Sequence, residues 1–228
     1  MAGNIKGQKK KKAGRPETIL IICAHPDDEI LGAGGTIAKY VKEGKRVIAV
    51  IFSYGENSHW WLQKKFTVEM RVKESKAAGA IVGIEKTFFL GLKDFELKEE
   101  MKDESRLEPI EKIIRKYRPS KIFTHSPDDM IYSDHIAVWE SVDKVTERMG
   151  YRGDIYVFNI WAKDVRLSKN PKLYIDISDT FRLKWDALKC FRSQHMYIFQ
   201  LYPGVLFRAL RQGWSNRCRF AEAFTKVK

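Results

Sequence analysis

The sequence predicts an α/β protein of Rossmann-like form, a mostly parallel sheet with helices on both faces. Three observations carry that expectation. Short apolar runs of strand length alternate with segments whose apolar residues recur at helical spacing, the pattern of βαβ units. The runs are apolar throughout, as strands covered on both faces are. The 228 residues are 44% hydrophobic and 12% aromatic, enough for one full core and too apolar for a disordered chain.

The elements follow in order. A first strand is expected at 18–24 (TILIICA), then a helix over 29–43 that stops at Gly44. Residues 46–53 (RVIAVIFS) give the second strand. A helix is expected over 64–79, with Val68, Val72 and Ala77/Ala78 on one face and Gly79 at its end. The third strand is 86–91. A helix over 106–117 ends at Arg118-Pro119, because the residue before a proline disfavours helical geometry. The fourth strand is 121–126, and an amphipathic helix over 134–150 closes at Gly150. Two further strand-like runs, 154–161 and 172–178, have no full helix between them, which predicts an added strand pair toward the C-terminus, as an edge hairpin or antiparallel addition. The last helix expected is 181–194. Residues 195–228 are aromatic and basic without clear periodicity, and read as a buried or interface segment.

Lys+Arg total 42 against 29 Asp+Glu, a net charge of +13. Residues 1–17 hold six positive side chains (Lys6, lysines 9–12, Arg15) against Glu17, so +8 remains on the other 211 residues. We read 1–17 as a basic disordered tail and 18–228 as a single domain. Nucleic-acid binding is not expected beyond non-specific contacts of that tail; a homo-oligomer is compatible with the composition. Cys23, Cys190 and Cys218 cannot form a disulfide framework, and a reducing cytoplasm fits. The apolar run at 18–24 is far too short to span a bilayer.

Ligands of open α/β sheets bind beyond the carboxyl ends of the strands. Here strand one is followed by His25-Pro26-Asp27-Asp28-Glu29, strand two by Gly55-Glu56, strand three by Gly91 and Asp94, and strand four by His125 and Asp128-Asp129, with Asp134-His135 opening the next helix. Carboxylates and imidazoles are costly to gather in a cleft unless a cation or a reaction uses them. His25 and Asp28 can face inward from one tight turn and form a zinc-type donor pair, and His135 is the best third ligand. Asp27, between two ligands, stands where a general base is needed. A His followed by acids also suits a capped turn, with Asp27 or Asp28 as N-cap; the company of the other strand ends favours the metal. Gly32, Gly34 and Gly35 do not make a dinucleotide loop, since His-Pro-Asp-Asp-Glu intervenes, and read as a close helix contact. His59-Trp60-Trp61 reads equally as a sugar-stacking wall or as a core or subunit contact.

Ala24-His25-Pro26-Asp27-Asp28-Glu29 with Leu31-Gly32 and Gly34-Gly35 resembles the signature of the LmbE-like/PIG-L family of zinc-dependent N-acetylglucosaminyl de-N-acetylases. Gly55-Glu56, Arg71 with Glu74, Leu90-Gly91 with Asp94, Asp134-His135, and the segment 189–194 ending in Ser193-Gln194 resemble later family segments in the same order. The resemblance implies Zn²⁺ on His25, Asp28 and His135, Asp27 as general base with Asp134 in the catalytic set, and Glu56, Arg71 and Asp94 facing a small N-acetylated amino sugar. The family's second motif commonly carries a carbonyl-polarising His where this chain has Tyr132; His125 or His195 are alternatives for that role. A related amidase, or a basic binding module with a degenerate site, are the other readings.

Overall fold

The structure, a computed structural model, describes residues 16–59, 61–129, 133–160, 167, 169–194 and 199–228. Tyr132, His195, Trp60 and the lysines of the tail lie outside the described residues. The elements run β1 (Thr18–Cys23), α1 (Asp28–Lys42), β2 (Arg46–Ser53), α2 (Lys64–Val82), β3 (Lys86–Leu92), α3 (Leu97–Glu100), α4 (Glu108–Tyr117), β4 (Lys121–His125), α5 (Ser133–Arg148), β5 (Asp154–Phe158), β6 (Lys172–Asp176), α6 (Phe181–Leu188), α7 (Tyr202–Ser215) and β7 (Ala221–Lys226).

The strands form one sheet in the order β3-β2-β1-β4-β5-β7-β6. β1 to β5 pair in parallel, and β7 runs antiparallel to both its neighbours. Alternation along β1 divides the core. Ile19, Ile21 and Cys23 face α1, α6 and α7, whereas Leu20, Ile22 and Ala24 face α4 and α5. The chain moves outward from β1 to β3 and then returns to place β4 on the other side of β1. That reversal opens a crevice at the carboxyl ends of β1 and β4, where such folds bind ligands.

Four expectations are corrected. The runs at 154–161 and 172–178 do not form a hairpin, because β7 inserts between them and hydrogen-bonds to both. Helix α2 continues through Gly79 and ends at Gly83, whose φ of 85° is the left-handed turn that glycine adopts freely. Its buried stripe is Thr67, Arg71, Ser75, Ala78 and Val82, not Val68, Val72 and Ala77, because the helix packs on α1 and α6 rather than on the sheet and turns Arg71 and Ser75 toward Pro26 and Glu29. The helix expected over 181–194 stops at Leu188 and resumes as one 3₁₀ turn, Arg192–Gln194.

The last strand is held to the first helix by charge. Glu222 of β7 accepts from the backbone amides of Gly35 (3.1 Å) and Thr36 (2.8 Å) in the middle of α1. Lys184 of α6 bridges Glu222 (2.6 Å) and the Leu31 carbonyl (2.8 Å). All are buried, and burial pulls the Lys184 ammonium below its ordinary range. The glycines of α1 permit this approach. A Cβ on Gly32 would lie 2.4 Å from the Phe158 ring, and one on Gly35 would lie 2.6 Å from Ile177. The Gly32-to-Gly35 segment is therefore a close helix contact, as the sequence suggested.

Two stability outcomes follow from this packing. Gly32→Val overpacks the α1–β5 contact and should lower unfolding stability by about 1–3 kcal/mol in urea titration. At the amino edge of the sheet, Glu17 accepts from Ser120 Oγ (2.5 Å) and Lys121 Nζ (3.0 Å) and lies 3.4 Å from Lys45 Nζ. The Ser120 hydrogen bond, helped by both lysines and opposed by burial, pulls the Glu17 carboxyl down to about 2. Its folded value lies below its unfolded one, so its contribution is complete above the ordinary carboxylate range and is lost as pH falls through about 2. Glu17→Gln should be less stable than wild type at neutral pH, and the difference should vanish below about pH 2.

Candidate active site

The segment after β1 is built around one strained residue. Asp27 has φ 119° and ψ −30°, a conformation that costs a non-glycine residue about 1–3 kcal/mol. Its surroundings hold it there. Its amide donates to Glu29 Oε2 (3.0 Å), and its carbonyl accepts from Ile30 and Leu31 as α1 begins. Ser75 of α2 donates to the other Glu29 oxygen (3.2 Å), and burial pushes the Glu29 carboxyl up to about 8. Arg71 of α2, itself buried, donates to the Pro26 carbonyl (2.7 Å) and reaches Asp27 Oδ2 (3.5 Å). A Cβ on Gly55 would lie 2.8 Å from Arg71 Nε, so the loop after β2 needs glycine there.

Beside Asp27 three donors converge. Asp28 Oδ2 lies 3.7 Å from His25 Nδ1 and 3.6 Å from His135 Nε2. Ligands held at about 2.0–2.2 Å by one tetrahedral ion stand roughly 3.3–3.6 Å apart, so both distances from Asp28 suit a metal, and all three donor atoms lie within 4.8 Å of one another. The outer nitrogens support the same reading. His25 Nε2 meets Asp94 Oδ1 (3.0 Å) and Asp134 Oδ2 (3.3 Å), and His135 Nδ1 meets Asp129 Oδ2 (2.9 Å). Metal-bound histidines are oriented by carboxylates on their second nitrogen in this way. Although burial alone would lower it, the His25 imidazole is driven well above its ordinary range by Asp134, Asp28 and Asp94. A pocket that so favours a proton on His25 favours a divalent cation for the same reason.

The expected site residues divide accordingly. His25, Asp28 and His135 come together, with Asp27 alongside. Asp94 and Asp134 were expected in substrate binding and catalysis. Both are instead turned onto His25 and tied to backbone, Asp94 to the Asn57 amide (3.0 Å) and Asp134 to the amides of Phe95 (2.8 Å) and Leu97 (3.3 Å). Glu56 braces the same loop, accepting from the Asp94 amide (3.1 Å) and Ser53 Oγ (3.2 Å). Arg71 lies beneath Asp27 rather than across an open cleft. His125 is corrected most clearly. As the last residue of β4 it is fully buried, accepts from the Ala24 amide (3.1 Å) and stacks on the His135 ring at 3.9 Å, so it backs the site instead of facing substrate. Burial and the neighbouring His135 hold it neutral, down at about 4.

Sequence reasoning gave no role to Asp129 or Glu29, although both stand in the acidic runs that it singled out. Glu74 and Ser193, which it noted as separate segments, meet: Glu74 accepts from the Ser193 amide (2.8 Å) and hydroxyl (2.6 Å). His59 is buried with Nε2 on the Ser193 carbonyl (3.0 Å), while Trp61 is half exposed against it.

The family model for the GlcNAc-PI de-N-acetylase family, PIG-L, matches residues 20–146, more than half of the chain. The chain belongs to that family. The matched region holds the converging donors described above, while β5, β6, α6, α7 and β7 lie beyond it. Among known proteins, the chain is 30% identical over 183 residues to "Probable N-acetyl-alpha-D-glucosaminyl L-malate deacetylase 2" of Bacillus cereus, covering 77% of this chain and 83% of that one. It is 24% identical over 216 residues to a 4-oxalmesaconate hydratase of Pseudomonas putida, covering 86% and 80%. Its fold matches the N,N'-diacetylchitobiose deacetylase of Pyrococcus horikoshii with a TM-score of 0.77 at 24% identity, covering 92% and 84%. This PIG-L family fold is thus shared by enzymes that differ in substrate.

The carboxylates behind the histidines give a direct test. Asp129→Ala should lower divalent-metal affinity 10–100-fold in chelator competition, although Asp129 is not itself one of the three converging donors.

Proposed function

We propose that this chain is a zinc-dependent deacetylase that hydrolyses the acetamide of a small N-acetylglucosamine-type substrate. The observation that carries the proposal is the convergence of His25, Asp28 and His135 beside an Asp27 held in a strained conformation. His25, Asp28 and His135 would hold the zinc, which would supply a Lewis acid to activate water and polarise the acetyl carbonyl. Asp27 accepts a proton from the attacking water as the oxygen bonds to the carbonyl carbon, then returns it to the amine nitrogen as the carbon–nitrogen bond breaks. Acetate and the free amino sugar are the products.

Asp27 suits a base at neutral pH. Burial pushes its carboxyl up to about 7, the Arg71 guanidinium opposes that rise, and the adjacent Asp28 charge adds to it. Arg71 also anchors the turn through Pro26, so that one side chain tunes and positions the base. Tyr132, three residues before His135, is the proposed hydrogen-bond donor to the carbonyl oxygen. The free thiols of Cys23, Cys190 and Cys218 suit the cytoplasm, and none of the described helices is long and apolar enough to cross a membrane. The similarity to a hydratase favours a second reading, in which the activated water adds to a carbon–carbon double bond. Release of acetate from N-acetylglucosaminyl malate, N-acetylglucosaminyl inositol or diacetylchitobiose separates the two.

The adjacent aspartates distinguish base from ligand. Asp27→Asn should keep about one zinc per chain while turnover falls roughly 10²–10⁴-fold, and the acidic limb of the pH–rate profile should move or disappear. Asp28→Asn should lose zinc and activity together, because an amide oxygen lacks the charge that holds the cation. Zinc analysis with the pH profile of both variants decides the matter, and the opposite pattern would exchange the two roles.

A further inference from the structure

Helix α7 is apolar on the side that faces the protein and on much of the side that does not. Val205, Ala209 and Gly213 form its buried stripe. Leu206, Phe207, Leu210 and Trp214 are exposed, Phe207 at 67% and Trp214 at 88%. At 3.6 residues per turn these four occupy a continuous arc of about 100° beside the buried stripe. Phe199, in the turn leading into the helix, is also exposed, at 66%. Single exposed apolar residues are ordinary, but a contiguous set on one helix marks a surface that meets something.

Charge identifies the occupant. Between Asp186 and Glu222 the chain contains no carboxylate side chain, yet it carries Lys189, Arg192, Arg208, Arg211, Arg217 and Arg219. Arg211 continues the exposed arc of α7, and Arg217 and Arg219 follow its end; all three are exposed and, among the described residues, none has an ion pair. Exposed Trp and Phe flanked by arginines on a helix that lies along the protein surface is the composition of an interfacial helix. The face is positive, which opposes a second copy of itself. Its leucines add nothing to binding a phosphate backbone, so nucleic acid fits less well.

We propose that α7 docks this protein peripherally on an anionic lipid surface, with Phe207, Leu210 and Trp214 entering the headgroup region and Arg211 and Arg217 on lipid phosphates. The helix is tied to the sheet edge that carries the candidate site, since Arg208 donates to the Asn159 carbonyl (2.8 Å) just beyond β5.

Vesicle co-sedimentation of the full chain tests this. The protein should bind vesicles of phosphatidylcholine with phosphatidylglycerol, more weakly at high salt, and should not bind phosphatidylcholine alone. The double variant Phe207→Ser/Trp214→Ser should lower the partition coefficient roughly tenfold or more. Arg211→Gln and Arg217→Gln should each lower it about fivefold. Circular dichroism and melting should be unchanged, because the altered side chains are exposed. The basic segment before β1 is present in every variant, so undiminished binding of the double variant would assign the affinity to that segment and overturn the proposal. Equal binding to neutral vesicles, or none to either kind, would also overturn it. So would a lipid-free dimer, or a DNA oligonucleotide complex without vesicle binding, that the double variant abolishes.

Discussion

The structure depends on gathering unlike charges in one dry place. His25, Asp28, Asp94, Asp129, Asp134, His125 and His135 share the crevice between the ends of β1 and β4, and nearly all of them are buried. Carboxylates so close repel one another, and each loses hydration. The arrangement persists because the imidazoles alternate with the acids: Asp28 lies between His25 and His135, and Asp129, Asp94 and Asp134 stand behind those two rings. Backbone amides of Asn57, Phe95, Leu97 and Ile160 also donate to Asp94, Asp134 and Asp129 and offset their lost hydration. A cation held among them would complete that balance of charge, which is why the geometry favours a metal site over an inert capped turn.

The same requirement explains the polar stripe of α2. A helix packed only on a sheet would bury valines and alanines. This one instead delivers Arg71 to the turn after β1, Ser75 to Glu29 and Glu74 to Ser193. The site is therefore supported from both sides, by the strands that place its donors and by a helix that fixes the conformation of the loop carrying them.

The parallel half of the sheet was legible because its strands are continuous apolar runs and its helices have one apolar face. The converging donors were legible because they stand at strand ends, where open sheets bind ligands. The rest was hidden for specific reasons. Residues 221–226 (AEAFTK) carry a glutamate in mid-strand and no long apolar run, so nothing local marks β7 as a central strand; its burial depends on Lys184 and on amides of α1 far away in sequence. The polar face of α2 hid for the same reason, since its partners Pro26 and Glu29 are far away in sequence. The role of His125 turned on which way the last residue of β4 points, and sequence alone does not resolve that. Asp94 and Asp134 were expected in substrate binding and catalysis because acids at a strand end suggest such contact, whereas the Nε2 edge of His25 holds both.

The insertion of β7 has a consequence for how the molecule comes into being. In the described sheet β6 lies at the edge with β7 as its neighbour, and Glu222 of β7 secures the middle of the helix that begins at Asp28. A chain emerging from the ribosome amino end first can pair β1 to β5 as each is made, but β6 must wait through α6 and α7 for its partner. The first helix and the last strand are thus completed together. Until β7 has been made, the helix that carries Asp28 lacks this anchor, so the candidate site is secured only after β7 joins the sheet.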